Sequence, residues 1–226
     1  MALGVKKAVL LLVATLLSQS VVVPTMAQSS LRSKQVPVVV WIDLFTRKLT
    51  VFRNGHPEIV IPIAAGKPTT PTPIGNWRVI TKYKDWGGGF GTRWLGLNVP
   101  WGIYGIHGTN KPHLVGQSVS AGCIRTKNEN VERIYPHIPL GTRVVIDGNP
   151  LGGPFLSPRE LSKGSRGSDV QLVQGRLYYA KFYHGPLDGV FGDDMEYALL
   201  RYERKVRVPV DGVVDFTDYR AMGLEE

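Results

Sequence analysis

Between residues 36 and 147 the apolar positions fall in short runs of β-branched and aromatic residues, separated by glycine, proline and Asn-Gly turns. Val38–Leu44 and Lys48–Phe52 are two such runs, joined through residues 45–48. Asn54-Gly55 predicts a hairpin turn, and Glu58–Ile63, Trp77–Thr81 and Thr142–Ile146 follow as strands. Lys67–Pro73 holds too much proline for a central strand, and the glycine-rich Asp85–Thr92 reads as a surface loop. One helix is predicted over Asn128–Tyr135, ended by Pro136.

Beyond about residue 158 the apolar spacing becomes helical. Ser168 or Asp169 is placed to cap a helix carrying Val170, Val173 and Leu177 on one face. Asp193 or Asp194 is placed to cap a second, with Met195, Ala198, Leu199, Tyr202 and Val206 in register. Pro186-Leu-Asp-Gly-Val190 recurs as Pro209-Val-Asp-Gly-Val213, and turn chemistry explains both copies better than metal binding does. Gly148–Pro154 has the composition of a linker. The pattern therefore predicts a mainly β domain over 36–147, sandwich- or barrel-like, a linker over 148–160, and a small all-α domain over 161–224.

The N-terminus changes this picture. Lys6 and Lys7 precede the apolar run Ala8–Leu17, and Thr25-Met26-Ala27 offers a small-x-small cleavage site. Residues 1–27 are read as a secretory signal, with an uncleaved anchor as the alternative, because a membrane span needs about 20 apolar residues. An exported protein of the periplasm or cell wall is expected, touching membrane only through that segment. The formal charge of +9 is concentrated: residues 28–160 hold 16 Lys and Arg against 7 Asp and Glu, while 161–226 hold 9 against 11. A basic surface attracts polyanions in general. The basic residues are scattered and match no nucleic-acid motif, so wall polymers are better partners than nucleic acid. A monomer is expected.

The chain has one cysteine, Cys123, in Ser118-Val-Ser-Ala-Gly-Cys-Ile-Arg125, and His107-Gly108 lies upstream of it. A lone thiol cannot form an internal disulfide, so in an exported protein it is a liability unless it does chemistry. Cys and His are the minimum set for thiolate catalysis. Gly122 permits close substrate approach or an unusual backbone conformation, and amides near Gly122 and Cys123 are candidate oxyanion donors. His107 can deprotonate the thiol or pair with it as thiolate–imidazolium. Arg125 is close enough to lower the thiol pKa or to bind a carboxylate. The competing reading is a buried, inert cysteine, and composition alone leaves the two near even.

The order of residues separates them. Ile103-Tyr-Gly-Ile-His-Gly-Thr-Asn110 followed by Ser118–Arg125 resembles the signature of the L,D-transpeptidase (YkuD-type) catalytic domain. Ile42-Asp43, Leu49–Gly55, Gly66-Lys67 and Thr70-Pro-Thr-Pro-Ile-Gly75 extend the resemblance over residues 36–147. It implies Cys123 as nucleophile, His107 as base and Gly108 as the residue whose carbonyl orients the imidazole. It implies that Ser120, Gly122 and Arg125 line the site; Tyr104 and His113, the latter in the loop between His107 and Cys123, are further candidate substrate contacts. Many members have His where Ala121 stands. Leu161–Val170, Leu187–Gly192 and Asp211–Val213 resemble a small helical peptidoglycan-binding domain.

The resemblance implies an exported transpeptidase acting on peptidoglycan stem peptides and glycan, with no cofactor and no metal. Cys123 would attack the third residue of a tetrapeptide stem, D-Ala would leave, and an amine would accept the acyl group. With water as acceptor the same site makes a carboxypeptidase or stem-peptide hydrolase. A non-catalytic wall-binding protein is the third reading. A zinc site from His107, His113 and Cys123 matches no short zinc spacing.

Overall fold

A computed structural model of the chain describes residues 37–152 and 158–225. The predicted signal, and residues 153–157 of the predicted linker, lie outside the described residues. Ten strands are present: β1 Val38–Asp43, β2 Lys48–Arg53, β3 His56–Pro62, β4 Ala65–Gly66, β5 Gly75–Lys84, β6 Arg93–Leu97, β7 Tyr104–His107, β8 Ser118–Ser120, β9 Ile124–Arg125 and β10 Arg143–Asp147. Eight of them form one mixed sheet in the order β3-β2-β1-β10-β5-β6-β7-β9, and β4 pairs with β8. Four helices follow the chain as α1 Asn128–Ile134, α2 Ser168–Tyr179, α3 Asp193–Val206 and α4 Phe216–Ala221. The mainly β region with a helical C-terminal region is as the pattern predicts, although β5 runs well past Trp77–Thr81 at both ends.

Period two governs the sheet. Val40 and Ile42 on β1, Leu49 and Val51 on β2, and Val144 and Ile146 on β10 point into one core, while Trp41 between two of them is exposed. Each buried aliphatic side chain contributes roughly 1.5–3 kcal/mol, so a one-residue slip of any strand would exchange that face for a polar one. Val131 and Ile134 of α1 and Ile138 close the core. Asn54-Gly55 turns with φ of 52° and 80°, both left-handed, which fits the Asn-Gly hairpin preference.

The helical region has its own core of Leu161, Val170, Val173, Leu177, Phe191, Met195, Leu199, Val214 and Tyr219. The expected caps are corrected. Gly167 and Gly192 occupy the N-cap positions of α2 and α3, and neither helix has a side-chain cap. The Ser168 hydroxyl is spent elsewhere: it accepts from Ile74 N (2.8 Å) and donates to Ile74 O (3.2 Å), stitching α2 to the β region. Asp169 forms a two-pronged pair with Arg159. A cavity of about 660 Å³ lies beside this seam, lined by Arg47, Lys67, Pro71, Arg159 and Tyr219 among others, and neither His107 nor Cys123 reaches it.

The pattern did not predict α4, which begins with a reciprocal Asp215–Asp218 capping box. Asp218 is buried, and its Oδ1 has no partner among the described residues. Burial pushes its carboxyl up to about 7; the Asp215 amide opposes this and Glu203 adds to it. The folded chain therefore holds a proton that the unfolded chain releases near pH 4. This contribution to stability is full below about pH 4 and is lost as pH rises through about 7. The helical region should melt at a higher temperature at pH 5.5 than at pH 8.5, and Asp218→Asn should remove most of that difference. An unchanged pH dependence in the variant would assign it to other groups.

Candidate active site

Three adjacent strands build the site by register alone. Trp94 on β6 is opposite His107 on β7, and His107 is opposite Arg125 on β9. Two rows along, Gly96 faces Gly105, and Cys123, which immediately precedes β9, stands next to Gly105. The intervening row, Leu95, Ile106 and Ile124, is fully buried in the core. Alternation therefore puts His107, Arg125 and Cys123 together on the other face. Cys123 is diagonal to His107, on the order of 8 Å between Cα atoms from strand rise and spacing, a span that two side chains can bridge.

The imidazole is 1% exposed. Its Nδ1 lies 2.5 Å from Gly108 O. A carbonyl only accepts, so Nδ1 carries the proton and Nε2 carries the lone pair. Nε2 is buried with no hydrogen-bond partner among the described residues. Trp94 stacks on one side of the ring (5.6 Å, 26°) and Phe90 meets it at 5.0 Å and 60°. Burial lowers the imidazole pKa to about 4; the Gly108 carbonyl opposes, Arg125 adds to the lowering, and the Phe90 carbonyl opposes. His107 is thus neutral at any pH above about 5.

Cys123 is partly buried. Its Sγ donates a long hydrogen bond to Ile103 O, 3.9 Å away. Burial pushes the thiol pKa up, against opposing contributions from Gly105 and Arg125. Arg125 acts in the expected direction, but desolvation outweighs it. The resting pair is neutral thiol and neutral imidazole, so the thiolate–imidazolium alternative does not describe this state.

Ser120 is fully buried. Its Oγ donates to Cys123 O (2.6 Å) and accepts from Gly122 N (3.0 Å). It braces the turn that presents the thiol, with its hydroxyl taken by two main-chain partners. Gly122 N is likewise occupied, leaving Cys123 N as the main-chain oxyanion candidate of that pair. Gly122 adopts φ +108°, and a Cβ there would stand 2.6 Å from the Tyr104 ring and 3.1 Å from Pro71 O, so only glycine fits. Tyr104 is half-buried beside the thiol, and its phenol pKa is raised by burial. Arg125 is half-buried, and its Nε has no partner among the described residues. His113 is exposed on a 3-10 turn and touches the site through no hydrogen bond among those described; its carbonyl accepts from Gln117.

Sequence reasoning missed Asn128. Its Oδ1 accepts from Thr92 N (3.3 Å) and Thr109 N (3.1 Å), tying the end of the glycine-rich loop to the residues after His107. It also missed Phe90 and Trp94 as walls of the imidazole; the only available signal was aromatic residues around a glycine run. No group of three or more His, Cys, Asp or Glu able to hold a metal occurs among the described residues.

Comparison with known proteins locates both regions. Residues 37–146 match the model "YkuD: L,D-transpeptidase catalytic domain", and residues 166–222 match "Putative peptidoglycan binding domain". The chain is 37% identical over 129 residues to "Putative L,D-transpeptidase YkuD" of Bacillus subtilis, covering 57% of this chain and 75% of that protein. It is 39% identical over 116 residues to "Putative L,D-transpeptidase YqjB" of the same organism, covering 45% and 66%. Among solved structures, L,D-transpeptidase 3 of Mycobacterium tuberculosis aligns with TM-score 0.46 at 19% identity, over 50% of this chain and 62% of that one. The catalytic domain of the E. faecium L,D-transpeptidase aligns with TM-score 0.44 at 24% identity, over 50% and 99%.

Arg125 lowers the pKa of both neighbours, so its removal should raise both. In Arg125→Met the NMR titration of His107 should move up from about 4, and the pH midpoint of iodoacetamide alkylation at Cys123 should also move up. If neither midpoint moves, Arg125 is not electrostatically coupled to the pair.

Proposed function

Since the chain belongs to the L,D-transpeptidase (YkuD) family, we propose that it cross-links peptidoglycan through a Cys123 thioester, working in the cell wall after export. The observation that carries this reading is a lone thiol on the same sheet face as a neutral imidazole whose Nε2 lone pair is unused. The signal pattern at residues 1–27 and the match to a peptidoglycan-binding model support the location and the substrate.

In this mechanism substrate binding brings Sγ away from Ile103 O toward Nε2. His107 takes the thiol proton as the sulfur attacks the carbonyl carbon of the third residue of a tetrapeptide stem. The Cys123 amide and the Gly105 amide, which already favours the ionised sulfur, stand near the developing oxyanion. The C–N bond breaks, and the imidazolium returns its proton to the leaving D-Ala amine. A side-chain amine of a second stem then attacks the thioester, gives its proton to His107, and expels the sulfur, which leaves as a thiol. Gly108 holds the imidazole tautomer, Tyr104 walls the cleft, and Arg125 offers its guanidinium to a substrate carboxylate. The loop Gly87–Gly91, which carries Phe90 onto His107, is placed to act as a lid. The C-terminal module keeps the enzyme on its polymer and raises local substrate concentration.

A raised thiol pKa does not oppose this mechanism, because the base abstracts the proton during attack rather than before it. The lowered imidazole pKa extends the active range on the acid side. Incubation of the folded mature protein with a carbapenem should give a single-drug mass adduct, and Cys123→Ala should give none. Turnover of a defined tetrapeptide should vanish in Cys123→Ala and His107→Ala, and in the wild type it should persist to about pH 5, where an ordinary imidazole is protonated. Release of D-Ala without a cross-linked product in the presence of an amine acceptor would assign the site to hydrolysis. An unlabelled, inactive wild type would leave a wall-binding protein.

A further inference from the structure

Residues 101–104 touch both halves of the described chain. At one end, Trp101 is held between two surfaces. Trp77 meets it edge-on at 5.3 Å. On another side lies Gly189, in the first of the two Asp-Gly-Val turns of the helical region. Gly189 adopts φ +69°, and a Cβ there would stand 2.5 Å from Trp101 Cε3 and 2.8 Å from Gly167 O. The neighbouring Val190 packs against the core of the β sheet. The indole is thus bounded by Trp77 on one side and by Gly189 on another, with 8% of the residue exposed.

At the other end the same segment reaches the sulfur. The Trp101 side chain lies near enough to the Tyr104 phenol to oppose the burial that raises its pKa. The Tyr104 ring lies against Gly122, with no room for a side chain there. Ile103 supplies the carbonyl that accepts from Cys123 Sγ. One four-residue stretch therefore links a turn of the C-terminal region to the wall and the hydrogen-bond acceptor of the thiol.

The geometry points to Gly189 as a positioning residue for Cys123: the turn sets Trp101, and through Tyr104 and Ile103 it sets the thiol. The C-terminal module is then part of the machinery rather than only a tether, and a polymer that shifts this turn changes the reactivity of the sulfur. The inference rests on the reading of Cys123 as nucleophile, but its first test does not require turnover.

The full chain is compared as wild type, Gly189→Ala, Trp101→Phe and Gly212→Ala. Gly212 is the equivalent position of the second Asp-Gly-Val turn, with φ +73°, and a Cβ there meets only α3 side chains at 3.4 Å or more. It controls for turn strain without touching Trp101. The first readout is the pH midpoint of iodoacetamide alkylation at Cys123, and the second is kcat and KM on a tetrapeptide.

Gly189→Ala should move the alkylation midpoint by about half a pH unit. It should lower kcat about tenfold, with KM changed less than about twofold. Trp101→Phe, which shrinks the side chain set between Trp77 and Gly189, should move the midpoint in the same direction. Gly212→Ala should leave both as in wild type. A wild-type midpoint in Gly189→Ala, or an equal shift in Gly212→Ala, overturns the proposal. If Gly189→Ala does not fold, Trp101→Phe decides alone, and a wild-type midpoint there overturns it. A shifted midpoint in a protein with no turnover keeps the coupling and removes the transpeptidase reading.

Discussion

The site depends on the parallel pairing of β7 with β9. Ile106 and Ile124 are opposite each other and both fully buried. Once the core takes that pair, the pleat forces His107, Arg125 and Cys123 to the opposite face. No separate interaction is needed to bring thiol and imidazole together. The shortness of β9 makes the constraint tight: two residues fix the register, and the turn before them is braced by Ser120 from both sides. A slip of one residue would bury Arg125 and turn Ile124 to the face that carries the thiol.

Electrostatics around the pair is decided by burial. Arg125 is near enough to favour a thiolate, yet desolvation moves the thiol the other way, and the same desolvation strips the imidazole of its proton near physiological pH. A charged pair in this setting would need hydrogen bonds that the site does not provide. The neutral arrangement follows from the walls: Trp94 and Phe90 around the ring, Tyr104 and Pro71 around Gly122. The glycines at 96 and 105 leave the Trp94 indole room to lie across the sheet beside them. The aromatic residues and the glycines are thus one device, each filling what the other vacates.

Much of this was legible in the sequence. Alternation gave the strands around Val40, Leu49 and Val144, and Asn54-Gly55 gave its turn, because these signals act within a few residues. Cys123 and His107 stood out as chemistry-bearing residues in an ordered motif. The caps of α2 and α3 were misassigned because Ser168 found a better partner 94 positions away, in Ile74, which no local rule detects. Asn128 read as a helix start, while its carbonyl oxygen serves two distant amides. Ser120 looked like a wall of the cleft, and only burial shows that both faces of its hydroxyl are taken. Trp101 carried no signal at all, since its neighbours Trp77 and Gly189 are far from it in sequence on either side.

The protonated resting state of Cys123 has a consequence for the lifetime of the protein. Oxidants such as peroxide attack thiolates, and the ladder from sulfenic to sulfonic acid begins there. A sulfur kept neutral by its own burial presents little to such reagents. The chain has no second cysteine to resolve a sulfenic acid once it forms. Holding the proton on sulfur is then a form of chemical dormancy, and it lets a single unprotected thiol endure in surroundings where a permanently activated one would soon be consumed.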